Sequence, residues 1–235
     1  MARMTVDELS AALERALGPR LVSFLLYGSA ASGAHVPEHS DVNTLLVCDA
    51  ADEALFTALE PPVRAWVGAG HPAPLIFTER EWRESVDAFA IEYEDIRHAH
   101  RVLAGRDPWP GITVRRDDLR RQLEQELRGK LLRLRQAYAA HRGDGKRLGE
   151  LVAASAGGFF TMLRAALRLA GRPAPAAPDA LLRESAATMG FPADGVAQLV
   201  EQVRGASAPA VAPRDPRVAQ YLQAVARAAQ FVNGL

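Results

Sequence analysis

Apolar positions along the chain change character near its middle, from short runs separated by turns to a helical stripe sustained over long stretches. Leu9, Leu13 and Leu17 recur at helical spacing, and Thr5 followed by Glu8 forms a capping box, so a helix is predicted over 5–17. Leu21 to Tyr27 is a short apolar run ending at Gly28, the length and ending of a buried strand. Asp41 to Val47 reads as a second strand, and residues 52–67 as a helix that Pro61-Pro62 breaks or delays. Ala73 to Phe77 reads as a third strand, placed at an edge because Pro74 has no N–H for a ladder. Thr78 is the N-cap of a short helix over 79–85. Residues 86–104 show no clean period and are read as a short strand followed by a helix reaching His100.

The breaker cluster Gly105 to Gly111 divides the chain into 1–110 and 111–235. Beyond it, Leu119, Leu123, Leu127, Leu131, Leu134 and Tyr138 mark one long amphipathic helix. Leu148, Phe159, Leu163 and Leu167 mark a second over 147–170, closed by Gly171. After the Pro/Ala linker 172–178, shorter helices are expected near 179–189, 193–204 and 215–233. The fold class is therefore α+β: a small mixed sheet flanked by helices, then a bundle of helices.

Composition adds a charge asymmetry. Residues 1–110 hold 9 Arg and 17 acidic residues, a net of −8, while 111–235 hold 19 basic and 11 acidic residues, a net of +8. Two such segments suggest domains facing each other, a polyanion held between them, or two independently solvated surfaces. The first twenty residues lack the apolar run of a signal peptide, and no stretch has the ~18 uninterrupted apolar residues of a membrane span. The single Cys48 lies in an apolar strand and reads as a buried thiol, so a cytoplasmic protein is expected. The arginines of 120–135 come without an aromatic stacking pattern, which disfavours nucleic acid as a partner.

The chemistry concentrates between residues 25 and 47. Gly28 lets the backbone approach a ligand closely, and Ser29 supplies a hydroxyl and an N–H at the start of a turn. Ser40-Asp41-Val42-Asn43 follows, with Asp41 and Asn43 two apart on a strand and so on one face. Oxygen ligands on one strand face beside a phosphate-binding turn can bring Mg²⁺ and a nucleoside triphosphate together.

This Gly-Ser turn and Ser-Asp-x-Asn strand resemble the DNA polymerase β-type nucleotidyltransferase superfamily, including aminoglycoside and minimal nucleotidyltransferases with a helical C-terminal domain. The resemblance implies that Gly28, Ser29 and Ser40 bind the nucleotide and that Asp41 is catalytic. It also implies that Asp41 and Asn43 are metal ligands for Mg²⁺. Asn43 stands where the pattern has a second aspartate and offers only one neutral oxygen. No acid occurs in the third strand, where the family carries another carboxylate, although Glu79, Asp87, Glu92, Glu94 and Asp95 follow it. The expectation is an NTP, ATP first, held with weakly bound Mg²⁺ in a cleft between the two domains. The NMP would pass to a hydroxyl of a small molecule or protein. The alternative is a catalytically inactive relative that senses a nucleotide or binds a partner protein, and a homodimer is left open.

Overall fold

The structure, a computed structural model, describes residues 4–31, 42–204 and 206–235. The chain divides into two units, Met1–Val114 and Arg115–Leu235.

The first unit opens with helix α1 (Val6–Leu17), whose Thr5–Glu8 capping box is present in both directions. Strand β1 (Leu21–Tyr27) pairs antiparallel with β2 (Asn43–Cys48). Helix α2 (Glu53–Gly68) leads to β3 (Leu75–Thr78), which lies parallel to β2. Then come α3 (Glu79–Glu84), α4 (Ala90–His98) and β4 (His100–Gly105), the last antiparallel to β1. The order β3-β2-β1-β4 makes a mixed sheet with β3 at one edge, where Pro74 can precede it without breaking a ladder.

Alternation along the strands separates two cores. Phe24, Leu46 and Cys48 pack with Leu9, Leu13 and Leu17 of α1 and with Leu55, Leu59 and Trp66 of α2. Leu25, Leu45 and Val47 face the other way, onto Trp82 of α3 and Tyr93 and Ile96 of α4. Each fully buried leucine contributes about 1.5–3 kcal/mol through removal of its side chain from water.

Two expectations are corrected. Pro61 and Pro62 neither break α2 nor delay it; the helix runs through both. Leu55, Leu59, Pro62 and Trp66 form one buried stripe, and its burial outweighs the missing N–H groups. In 86–104 the order is reversed: the helix comes first, and the strand follows it from His100. Strand β2 is described from Asn43, and its expected start, Asp41, lies outside the described residues.

The second unit contains α5 (Arg116–His141), α6 (Gly145–Leu169), α7 (Pro178–Met189), α8 (Ala193–Val203) and α9 (Pro216–Asn233). Leu119, Leu123, Leu127 and Leu134 form the buried stripe of α5. By length and composition α6 could cross a membrane, yet Leu148, Val152, Phe159, Leu163 and Leu167 are buried inside the unit.

Candidate functional site

At the end of β1 the chain must leave the sheet within one residue. Gly28 does this at φ +76°, a left-handed conformation that side chains disfavour. A single 3₁₀ turn, Gly28–Ala30, follows, closed by the Ala31 N–H donating to the Gly28 carbonyl at 3.1 Å. The Gly28 N–H donates to the Ala99 carbonyl at 2.8 Å, so this amide braces the turn against the junction of α4 and β4. The backbone of Ser29 lies within this turn, while Ser40 and Asp41 fall outside the described residues.

Asn43 opens β2 directly opposite Tyr27. A Cβ added at Gly28 would lie 3.5 Å from Asn43 Nδ2, which places the Asn43 amide against the turn. The structure thus brings two of the sequence-identified positions, Gly28 and Asn43, side by side. An amide here presents donors as well as one neutral oxygen, where an aspartate would present charge.

Tyr27 pairs with Asn43 on one side and with His100 of β4 on the other. Directly opposed residues share a sheet face, so Asn43, Tyr27 and His100 form a row across three strands. The Tyr27 phenol is pushed above its ordinary pKa, first by burial and then by the negative charges of Asp95 and Glu92 on α4. Tyr27 and His100 lie outside the Gly-Ser and Ser-Asp-x-Asn motif that points to Gly28 and Asn43. The available signal was the apolar run Val102 to Ala104 ending at Gly105, which marks β4 and so puts His100 at its start.

The acid just past β3 is committed elsewhere. Glu79 forms ion pairs with Arg83 at 3.1 Å and Arg106 at 2.6 Å, and these hold its carboxyl below the usual range. Glu94 is buried and meets Arg97 at 3.1 Å and His98 Nδ1 at 3.4 Å. His98 and His100 sit on different elements, at the end of α4 and the start of β4. Among the described residues no group of three or more His, Cys, Asp or Glu side chains could hold a metal ion. Of the two expected Mg²⁺ ligands, Asn43 falls among the described residues and Asp41 outside them, and β3 brings no carboxylate beside Asn43.

No family model matches the chain, and no curated protein does. Among solved structures it is similar to a spectinomycin adenyltransferase, AAD(9), from Enterococcus faecialis, solved with ATP and spectinomycin. The likeness covers 97% of this chain and 98% of that chain, at 12% identity and a TM-score of 0.59. What the two share is the fold: a nucleotidyltransferase-like arrangement of a small mixed sheet followed by helices.

Proposed function

We propose that the protein binds a nucleoside triphosphate at the Gly28–Ala30 turn and transfers its nucleoside monophosphate to a hydroxyl of a small molecule. The observation that carries this reading is the Asn43 amide set against the Gly28 turn within a nucleotidyltransferase-like fold. ATP is the first candidate because the structural neighbour was solved with it, and the spectinomycin beside it makes a hydroxylated small molecule the first acceptor to try. The Gly28 and Ala31 N–H groups are taken by the Ala99 and Gly28 carbonyls, which leaves the backbone of Ser29 and Ala30 to meet a phosphate, with the Asn43 side chain as a further donor beside them. Catalysis on this reading rests on positioning and on donors aimed at the phosphates. Any Mg²⁺ would arrive with the nucleotide.

A second reading, a catalytically inactive relative that senses nucleotide or binds a partner, is favoured by the neutral Asn43 and by the commitment of Glu79 to Arg83 and Arg106. Calorimetric titration of ATP with and without Mg²⁺ tests the nucleotide site; no heat at millimolar ATP would remove the transferase and the nucleotide sensor and leave only the partner-binding relative. Label transfer from ATP to hydroxylated acceptors then separates them. If Asn43→Asp gains transfer that the wild type lacks, the inactive reading holds.

A further inference from the structure

We propose that His100 is the general base of this site, taking the place of the carboxylate that β3 lacks. The inference rests on the nucleotidyl-transfer reading above and adds a residue to it.

Three observations converge on His100. The first is placement. His100 stands directly opposite Tyr27, as Asn43 does on the other side, so both are one strand spacing from the residue that leads into the Gly28 turn. That spacing is about 4.8 Å in a sheet. The second is attachment. Ala99, its immediate neighbour, accepts the Gly28 N–H at 2.8 Å, which couples the position of His100 to the turn.

The third is the state of the ring. His100 Nδ1 lies 3.0 Å from the Ile96 carbonyl and 3.2 Å from the Arg97 carbonyl, both in the last turn of α4. Carbonyl oxygens only accept, so Nδ1 carries the hydrogen and donates. In a neutral imidazole this leaves the lone pair on Nε2. The Trp109 ring lies beside the imidazole, 5.4 Å away by centroids and tilted by 48°. One nitrogen is spent on capping α4, and the other is held ready to accept a proton. No such pairing exists on β3, whose Leu75–Thr78 segment has no ionisable side chain.

The step balances without a further reagent. The acceptor hydroxyl oxygen attacks the α-phosphorus and its proton passes to His100 Nε2. The bond from the α-phosphorus to the bridging oxygen breaks, and pyrophosphate leaves with the electron pair. The imidazolium then returns its proton to solvent. A positioned base of this kind is worth about 10²–10⁴-fold in rate.

His100→Asn is the decisive variant, because its side-chain N–H₂ can still donate to the Ile96 carbonyl while nothing replaces Nε2. It is expected to bind ATP as the wild type does and to form adenylylated product or AMP, from α-labelled ATP with hydroxylated acceptors or water, about 10²–10⁴-fold more slowly. His100→Gly should lose the same activity and regain part of it in added imidazole, which a purely structural role would not allow. Wild-type turnover in His100→Asn, or no imidazole rescue in His100→Gly, overturns the proposal. So does a wild type that binds ATP yet forms neither product. A wild type that fails to bind ATP defeats the nucleotide reading itself, a separate result.

Discussion

The two units solve the burial problem with opposite materials. All three tryptophans lie in the sheet unit, and Trp66 and Trp82 are fully buried with their indole N–H groups donating to the Pro72 and Pro108 carbonyls. The interior of the helical unit has no tryptophan and is mostly leucine, valine and alanine around Phe159 and Tyr221, with α6 bringing Gly149 against the backbone of Pro209 and Ala210. Large rings with one fixed hydrogen bond hold loops to a sheet at defined points. Small residues let backbones approach until little space is left. The sheet unit should therefore be sensitive to truncation and the helical unit to enlargement.

Truncation of Trp82 is the largest expected effect. Its ring stacks on Tyr93 at 4.1 Å between centroids, and the Tyr93 hydroxyl donates to the Trp82 carbonyl at 2.7 Å. Trp82→Ala removes a side chain that bridges α3, α4 and the 105–111 segment, at a cost of about 3–5 kcal/mol. Urea unfolding followed by the fluorescence of Trp66 and Trp109 reads the sheet unit alone, since the helical unit has no tryptophan. A loss below about 1 kcal/mol would show that this core relaxes around the void.

Enlargement in α6 is the complementary test. A Cβ at Gly149 would lie 2.6 Å from the backbone of Ala210, closer than packed atoms approach. Gly149→Ala should therefore destabilise the helical unit by about 1–3 kcal/mol despite the helix propensity of alanine. Gly157 lies in the same helix with nothing within 4 Å of its added Cβ. Gly157→Ala should stabilise by about 1 kcal/mol, so the two substitutions move far-UV melting in opposite directions.

Much of this architecture is readable from residue spacing. Leu119 to Leu134 mark the buried side of α5, and Thr5 with Glu8 marks the start of α1, because period and capping are local signals. Strand β4 is harder to read, since the run Val102 to Ala104 is short and the partner that orders it, β1, lies far earlier in the chain in a pairing no local pattern encodes. The prolines of α2 show the opposite case: their local penalty predicts a break, and a buried stripe decides the outcome. At the site, the motif marks Gly28 and Asn43. Tyr27 and His100 became visible only once the register across β2, β1 and β4 was known.

Acid should separate the units by a smaller margin. Asp215 is the buried N-cap of α9, and the Arg217 guanidinium, with the Arg217 N–H, holds its carboxyl below the usual range. A depressed folded pKa contributes stability that is complete above the unfolded value of about 3.9 and is lost as pH falls toward the folded one. Asp215→Ala should cost about 0.5–2 kcal/mol near neutrality, the worth of an N-cap. The variant's disadvantage should shrink below about pH 4, as the wild-type carboxyl takes up its proton. Far-UV melts of both proteins across that range follow the difference; a constant gap would mean that Asp215 acts by shape rather than charge.

The smallest effect is expected at Thr78, where the sheet unit relies on a local device. The Glu81 N–H donates to Thr78 Oγ1 at 3.1 Å, and the Thr78 N–H donates to Glu81 Oε2 at 2.8 Å. This reciprocal box starts a helix of six residues, too short to persist without support, and aims Trp82 at its pocket. Thr78→Ala should cost about 1 kcal/mol in the fluorescence-detected transition, and Thr78→Ser, which keeps the acceptor, should cost less. If rings pinned by hydrogen bonds dominate this unit, the Thr78→Ala loss will largely vanish in a Trp82→Ala background, because the cap then orients nothing. Equal losses in both backgrounds would instead make the cap and the ring independent supports of α3.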